Sequence, residues 1–512
     1  MGNEVEVRHI RNNLFGPIPA NLMQEELTGL YGSDVLKEIN EILGYYEVYN
    51  KGADFVPEGS QDYVPASLNY KYIRTLINKE AAFMFAKPLD FVVKTVNQDD
   101  DEAVRRDITV LQTFLNNVLK KNMFNGKILK AGKDCFIGKR IAIVLNFNDE
   151  GISISFLPST EFVYETDEVD TDKVTKLVMF YIRKDSSNKL EQEIFKKKYW
   201  MESDGFCHVH EAIYDGTGQL KETVIENLTT KFTYVPGTVI VNEGLTGDVD
   251  GESDVAQIDE YESWYSRLGS ADIDSMRKGM NPIRYTRDMD SKSTENLPIS
   301  AGAYWDLISD QNLDNPQPDQ GIIPSELGYS EPLEKTMERL KKAMHSQLSI
   351  PDVSADKLQG VISSGKTFKA IYWELIIRCE EKLTAWKPAL EFIANTIIEG
   401  AMLYPESAKH YTDEKLPVVK YNIEVENNYP IPEDEEAEKE VDLLEVNAQT
   451  MSRKSYMKKW RGLTDKEADD ELRQIALERE LLEDSFTGLV AEGIEEATDE
   501  EPEEAEEPGD KE

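Results

Sequence analysis

Residues 360–367, GVISSGKT, match the pattern G-x-x-x-x-G-K-[ST] letter for letter. In many ATPases and GTPases the backbone N–H groups of such a loop surround the phosphates, and the lysine, here Lys366, contacts the terminal ones. That chemistry needs a buried hydrophobic strand before the loop and a later apolar strand ending in a magnesium-binding aspartate. Here the polar stretch PDVSADKLQ precedes the loop, and the strand candidate after it, LPVVKYNIEVE, has Lys and Asn at its centre. This context favours a helix start capped by Ser363 or Ser364 over a nucleotide-hydrolysing enzyme.

Histidines and cysteines offer a second possible chemistry, metal binding. The sequence CHVH contains His208 and His210, but its alternation predicts a strand that exposes both histidines on one face, with a structural role. The cysteines are odd in number, far apart and outside any CxxC motif: Cys135, Cys207 and Cys379. This usage is typical of a reducing compartment and indicates neither disulfides nor a zinc site. We therefore expect no metal and no cofactor.

The charge of the chain bears on its partners. The 512 residues carry a formal net charge of −41, and residues 491–512 contain 12 acidic residues against one lysine. The segment 487–512 is predicted to be a disordered acidic tail, because it cannot bury enough apolar surface to offset its ordering entropy. Without the acidic run the charge is still about −30, which makes tight sequence-independent DNA binding a poor hypothesis. A chain of this kind can still surround DNA without gripping it.

Two observations concern the compartment. The N-terminus, MGNEVEVRHI, lacks the basic-then-apolar order of a signal peptide. No run of the sequence approaches the 18 uncharged apolar residues typical of a membrane span. We expect a protein made in a cytoplasm, without a membrane partner.

The first half of the chain is predicted to be an α+β domain. Residues 1–30 have the pattern of an irregular arm, and helical spacing predicts helices over 35–49, 66–85 and 102–121. From Arg140 to Asn242 the hydrophobic period changes to two, with turn dipeptides between the runs. This change predicts a mostly antiparallel sheet region that the three helices cover.

Two amphipathic helices are predicted in the second half. Ser253 is a suitable N-cap for a helix over 253–276, and a second helix is predicted over 331–348. Residues 277–328 between them lack clear periodicity, apart from strand-like pieces around 283–286 and 303–308. The apolar positions that we expect to pack these two helices are Ile258, Tyr265, Leu268, Met337, Leu340 and Met344.

A loop over 350–365 precedes the longest helical pattern of the chain, Lys366 to Ala401. Pro388 lies inside this pattern and predicts a kink near Thr384. The strand VVKYNIEVEN and two helices over 433–446 and 464–483 follow.

The order of these elements resembles the portal proteins of tailed bacteriophages, in particular the siphophage type of Gram-positive hosts. The resemblance extends from about residue 66 to residue 485. Its motifs are NYKYIRTLINKEAAFMFAKPL, LPSTEFVYETD, VPGTVIVNEG, GESDVAQIDEYESWYSRLGSADIDSMRKGMNPI, SSGKTFKA, YNIEVENNYPIPEDE and SRKSYMKKWRGLTDKEADDELRQIALERE. Each motif is weak alone, and their order carries the resemblance.

The resemblance implies an α+β portal fold with a β-rich and helical wing, a two-helix stem, a small α/β clip, a long kinked helix and an α-helical crown. The implied parts are the wing (1–252), stem helix 1 (253–276), the clip (277–328), stem helix 2 (329–349), the tunnel loop (350–365), the long kinked helix and return strand of the wing (366–429), and the crown (430–486).

The resemblance also implies roles for individual residues. In the tunnel loop, the residues expected to line a DNA channel are Asp352, Ser354, Asp356, Lys357, Gln359, Val361, Ser363 and Lys366. Tyr304 and Trp305 are candidates for partner docking in the clip, because they are aromatic residues in a polar segment.

The implied function is a ring of twelve subunits at one vertex of the capsid, without catalytic activity, assembled in the host cytoplasm. Double-stranded DNA would be packaged and later ejected through the ring. The implied partners are the terminase large subunit, the major capsid protein, the scaffolding protein and the head–tail adaptor. Two alternatives remain, a P-loop NTPase acting through residues 360–367 and an acidic scaffold or interaction protein.

Overall fold

The computed structural model describes the chain from residue 22 to residue 478, with gaps. The described residues are 22–23, 26, 35–52, 64–96, 101–184, 192–245, 247–280, 283–290, 309–310, 312–314, 317, 319–323, 329–353, 365–430 and 435–478. They form two compact units. The larger unit holds the described residues up to 353 together with 369–430, and the smaller one holds 365–368 and 435–478.

Four helices and one strand open the larger unit. They are α1 (Val35–Lys51), α2 (Tyr72–Phe85), β1 (Asp90–Thr95), α3 (Glu102–Lys121) and α4 (Phe124–Gly138). Helix α3 has the predicted bounds, whereas α2 begins six residues later than predicted, and β1 and α4 were not predicted. Gly132 lets α4 pack closely against α2, because a Cβ at this position would lie 2.6 Å from the ring of Phe85.

The region of period two is antiparallel, as predicted, and it folds as two sheets. Strands β2 (Arg140–Asn148), β3 (Gly151–Pro158) and β9 (Gly237–Val241) form one sheet in the order β3-β2-β9. The second sheet has the order β4-β5-β6-β7-β8. Its strands are β4 (Phe162–Thr166), β5 (Val174–Lys184), β6 (Gln192–Met201), β7 (Cys207–Asp215) and β8 (Leu220–Thr229).

A hydrophobic cluster joins the two sheets. It contains Val144 of the first sheet and Leu177, Met179 and Val209 of the second, all buried. Burial of each such side chain contributes about 1.5–3 kcal/mol relative to exposure, so this cluster is a principal source of stability for the larger unit.

A short part of the N-terminal arm docks on the five-stranded sheet. Leu22 and Met23 are fully buried against a cluster that includes Val178 and Phe180 of β5. Glu26 beside them pairs with three lysines of the sheet, Lys176, Lys196 and Lys198. The arm was predicted to be irregular, but these residues are part of the core.

Two helices and a hairpin follow the sheets. They are α5 (Asp259–Met280), β10 (Ile283–Arg287), β11 (Asp319–Ile323) and α6 (Ser330–Gln347). The N-cap prediction at Ser253 was wrong, because residues 254–258 form turns and the Ser253 hydroxyl donates to the carbonyl of Ile137 at 2.7 Å. Strands β10 and β11 pair antiparallel, while the predicted strand over 303–308 lies outside the described residues.

The long helical pattern forms two helices rather than one. Helix α7 (Gly365–Ile371) ends before Tyr372, whose φ of −94° and ψ of 7° interrupt the helix, and α8 (Trp373–Leu403) continues through Pro388. The short helix α9 (Pro405–Ala408) follows. Strand β12 (Tyr421–Glu426) then pairs antiparallel with β1, which places Val425 opposite Phe91.

The smaller unit contains helices α10 (Glu435–Asn447), α11 (Arg453–Arg461) and α12 (residues 465–478). Helices α10 and α12 were predicted, but α11 was not, because its sequence RKSYMKKWR has few apolar positions. Ion pairs hold α11 to its neighbours: Lys459 lies 2.7 Å from Asp442, and Lys458 lies 3.0 Å from Asp465. Among the described residues, no helix is long and apolar enough to cross a membrane.

Candidate stem and tunnel-loop root

Helices α5 and α6 pack against each other within the larger unit. Of the six predicted packing residues, Ile258 and Met344 are fully buried. The other four are only half-buried: Tyr265, Leu268, Met337 and Leu340. The helix pair therefore leaves part of its apolar surface uncovered within one chain.

The face of α5 that meets α2 is polar. Glu262 is fully buried, and its two carboxylate oxygens accept the backbone N–H groups of Tyr72 at 2.9 Å and Ile73 at 2.8 Å. These are the first amides of α2, which have no partner within their own helix. Lys71, the residue before the helix, has a φ of 50° and its side chain makes no cap hydrogen bond. Glu262 therefore caps α2 from 190 residues away in sequence.

The same face of α5 holds the non-helical segment that leads into α2. Ser270 accepts the N–H of Leu68 at 2.9 Å, and Asp274 accepts that of Ala66 at 2.8 Å. Gly269 fits here because a Cβ would lie 2.7 Å from the hydroxyl of Tyr70. The sequence predicted a helix over residues 66–71, but these residues are not helical, and hydrogen bonds to α5 hold Ala66 and Leu68.

We call residues 345–353 the loop root, since they lead from the end of α6 toward the predicted tunnel loop. His345 is buried, and its Nδ1 lies 2.8 Å from the carbonyl oxygen of Ile350. A carbonyl oxygen only accepts, so Nδ1 carries the proton and the neutral ring presents Nε2 as an acceptor. The hydroxyl of Tyr72 lies 3.0 Å from Nε2 and donates to it.

An ion pair closes the loop root on its other side. Lys341 Nζ lies 3.0 Å from Asp352 Oδ1, and Nε2 of His345 lies 3.8 Å from the same oxygen. The hydrogen bond to Asp352 raises the pKa of Lys341, and burial lowers the pKa of His345. Burial also raises the pKa of Tyr72, so its hydroxyl stays protonated and able to donate.

A buried ion cluster anchors the start of α8. Lys382 Nζ lies 2.9 Å from Glu80 of α2 and pairs with Asp254, while Arg378 lies 2.9 Å from Glu80 and 3.0 Å from Asp254. Glu243 joins them at 2.7 Å from Arg378. The side chains of Glu80, Asp254 and Lys382 are almost completely buried. The cluster therefore connects α8 with α2 and with the segment that leads into α5.

The charges of this cluster depend on one another. Burial opposes the charged form of Lys382, but Asp254 and Glu80 outweigh burial and raise the pKa of the ammonium. Burial likewise opposes ionisation of Glu80, but Lys382 and Arg378 lower its pKa below the ordinary value. For Asp254, burial prevails over the two cations and raises the pKa to about 7.

Most predicted tunnel-loop and clip residues lie outside the described part of the chain: Ser354, Asp356, Lys357, Gln359, Val361, Ser363, Tyr304 and Trp305. Lys366 lies in α7, but its side chain is outside the description. Asp352 is placed in the loop root by its ion pair with Lys341. In the described residues before the GVISSGKT stretch, the preceding element is helix α6 and not a strand.

The candidate metal ligands have structural partners. The predicted exposure of His208 was wrong: it is buried in β7 and contacts Asn227 at 2.7 Å and Asp204 at 2.9 Å. Nδ1 of His210 donates to the carbonyl of Glu226 at 2.7 Å. The three cysteines are free and buried. Across the part of the chain that the structure describes, no group of three or more His, Cys, Asp or Glu side chains could hold a metal ion.

The sequence matches one family of known proteins over most of its length. The family described as "Phage portal protein, SPP1 Gp6-like" matches residues 32–482. No curated protein matches the chain.

Proposed function

Since the chain belongs to the phage portal protein family, we propose that it assembles into a ring of twelve copies at one capsid vertex. Proteins of this family are structural components of the virion rather than enzymes. The ring is the conduit through which double-stranded DNA enters the capsid during packaging and leaves during ejection. Assembly takes place in the host cytoplasm.

Each part of the chain has a place in this proposal. Helices α5 and α6 are the stem, and residues 277–328 with the hairpin β10–β11 are the clip. The two sheets with α1–α4 form the wing, which α8 and β12 complete. Residues 350–365 form the tunnel loop, and α10–α12 form the crown.

The exposed apolar surface of the stem supports a ring of identical copies. Trp264 of α5 is 50% exposed and Met280 at its end is 79% exposed, although α6 packs against the same helix. Buried apolar contacts of this kind are the main source of stability at interfaces between subunits. In a closed ring every copy covers the stem of its neighbour with the same pair of surfaces.

The charge of the chain supports passage of DNA without binding. Twelve copies of a chain with a net charge of −41 carry a formal charge of about −490, although salt screens most of it at a distance. An acidic wall repels phosphate groups, so DNA of any sequence can move past it. Lys357 and Lys366 in and beside the tunnel loop provide transient phosphate contacts.

The partners follow from the place of the ring in the virion. The terminase large subunit during packaging and the head–tail adaptor afterwards dock on the clip, where Tyr304 and Trp305 supply aromatic contacts. The major capsid protein and the scaffolding protein surround the wing.

The proposal is tested by the mass and shape of the purified full-length protein. Negative-stain images should show rings with a central hole, and native mass measurement should give about 700 kDa, twelve times the subunit mass of 58.3 kDa. A strictly monomeric particle at high concentration would refute the ring. A nucleotide-binding assay on the same sample distinguishes the P-loop alternative, for which binding should be lost in Lys366→Ala.

A matched pair of variants tests the stem interface. Trp264→Glu should weaken the ring strongly, since a large aromatic side chain at the centre of an interface contributes about 2 kcal/mol or more, repeated at each contact. Val169→Glu, at a site that is 95% exposed in a turn, should leave the ring intact. Equal behaviour of the two variants would exclude α5 from the contact between copies.

A further inference from the structure

The loop root turns sharply at the end of α6 with a strained backbone. Ser349 has a φ of 52°, a conformation that residues other than glycine rarely adopt. Such a conformation persists only where surrounding contacts hold it. The contacts around residues 345–353 therefore determine the direction in which the chain leaves the stem.

Both backbone polar groups of Ile350 are hydrogen-bonded to His345. The backbone N–H of Ile350 donates to the carbonyl of His345 at 2.9 Å, and the carbonyl of Ile350 accepts from Nδ1 of the same histidine at 2.8 Å. Ile350 itself is buried, at 4% exposure. His345 and the Lys341–Asp352 ion pair together therefore hold residues 348–353, which lie outside any helix or strand.

The other nitrogen of the His345 imidazole, Nε2, connects the loop root to the wing. Nε2 accepts from the hydroxyl of Tyr72, and Tyr72 is the first residue of α2. The backbone N–H of Tyr72 is in turn held by Glu262 of α5. Hydrogen bonds of Tyr72 therefore connect α2 both with α5, through Glu262, and with α6, through His345.

We propose that His345, in its neutral Nδ1–H form, is a positioning residue for DNA passage that sets the exit of the tunnel loop against α2 through Tyr72. The consequence for DNA rests on the proposed function. The positioning itself rests only on the geometry of the loop root.

Protonation of His345 would rearrange these contacts. A proton on Nε2 turns the acceptor into a donor, and the nearest carboxylate oxygen, on Asp352, lies 3.8 Å away and is already bound by Lys341. The other groups that face the His345 imidazole are Tyr72 and Lys79 of α2. Tyr265 of α5 packs on Tyr72, with the centroids of the two aromatic rings 6.2 Å apart. Burial favours the neutral ring. We therefore expect the loop root to loosen as the pH falls below the ordinary histidine pKa of about 6.5.

Hydrogen exchange tests the positioning. It is measured on the purified full-length protein at pH 5–8, for the peptide covering residues 346–353, and is corrected for intrinsic rates. Tyr72→Phe removes only the hydroxyl. It should speed exchange about tenfold, the effect of one buried hydrogen bond, and should move the onset of acid loosening to higher pH. His345→Asn keeps a donor for Ile350 but cannot titrate, so the acid loosening should disappear. His410→Asn, at an exposed histidine elsewhere in the unit, is the control and should match the wild type.

DNA packaging by the same proteins separates positioning from function. His345→Ala should form rings but package at least about tenfold less DNA, and His345→Asn should restore most of the packaging at neutral pH. An unchanged exchange profile in Tyr72→Phe and His345→Asn would overturn the positioning. Altered exchange with normal packaging in His345→Ala would leave the positioning intact and overturn the role of this loop in DNA passage.

Discussion

Replacing Lys382 by methionine tests whether the buried ion cluster anchors α8. The substitution keeps most of the side-chain volume but removes the ammonium group, so Glu80 and Asp254, both fully buried, are left with Arg378 as their main cation. Removing one partner of a buried ion pair typically costs 3–5 kcal/mol, because the remaining charge is uncompensated. Arg378 compensates part of this charge, so we expect a loss of about 3 kcal/mol in the free energy of unfolding of the larger unit.

A surface lysine on the same helix provides the control. Lys387 lies 3.6 Å from Glu380, and both side chains are substantially exposed. Such a surface ion pair is worth about 1 kcal/mol or less, so Lys387→Met should change stability little. Denaturant unfolding, followed by circular dichroism and by the fluorescence of buried tryptophans such as Trp386, measures both variants under the same conditions.

The pH dependence gives an independent check on the cluster. Asp254 has a pKa of about 7, raised by burial from an ordinary value of 3.8. The folded protein therefore binds more protons than the unfolded chain between these values, and stability falls as the pH rises through about 7. This loss should be larger in Lys382→Met, which should recover part of its stability at pH 6. Equal costs for Lys382→Met and Lys387→Met, or a variant that loses stability between pH 8 and pH 6, would refute the anchoring role.

Three further substitutions test other contacts. Glu262→Gln should lower the free energy of unfolding by about 1–2 kcal/mol, because the glutamine side chain has one oxygen for the two backbone N–H groups that begin α2. Hydrogen exchange of those two N–H groups should accelerate. Gly132→Ala places a Cβ 2.6 Å from the ring of Phe85 and should lower stability by about 1–3 kcal/mol, whereas Gly126→Ala meets nothing within 4 Å and should be tolerated in the same unfolding assay. Burial alone would raise the pKa of Glu26, but Lys196 and Lys198 outweigh this effect and lower the pKa to about 2. Ionised Glu26 therefore contributes stability that is present above pH 4.5 and is lost as the pH falls toward 2. Glu26→Gln should therefore release the arm at neutral pH, seen as faster proteolysis before residue 35, and should abolish this acid dependence.

Local sequence signals predicted some elements well. Helix α3 has an acidic residue in its first turn, two lysines in its last turn and a regular apolar face, and its predicted bounds agree with the structure. Helix α4 carries three glycines and was missed, because its stability comes from packing that includes the contact of Gly132 with Phe85. Propensity alone does not contain that information.

The candidate site was less predictable, because its contacts are distant in sequence. Glu262, Ser266 and Ser270 resemble solvent-facing residues, and only the segment 64–73, about 190 residues earlier, makes their face a buried one. Lys382 likewise lies in the charged sequence EEKLT, which is typical of a surface turn of a helix. Its burial depends on Glu80 and Asp254, which lie in other elements.

The cap that Glu262 provides for α2 has a consequence for synthesis on the ribosome. Translation at about 5–20 residues per second separates Tyr72 from Glu262 by about 10–40 s. A 14-residue helix is marginal in water on its own, so the start of α2 remains frayed during this interval. The segment around Tyr72 therefore stays open to chaperones and proteases until α5 has left the exit tunnel, and subunits become competent to assemble only after that point.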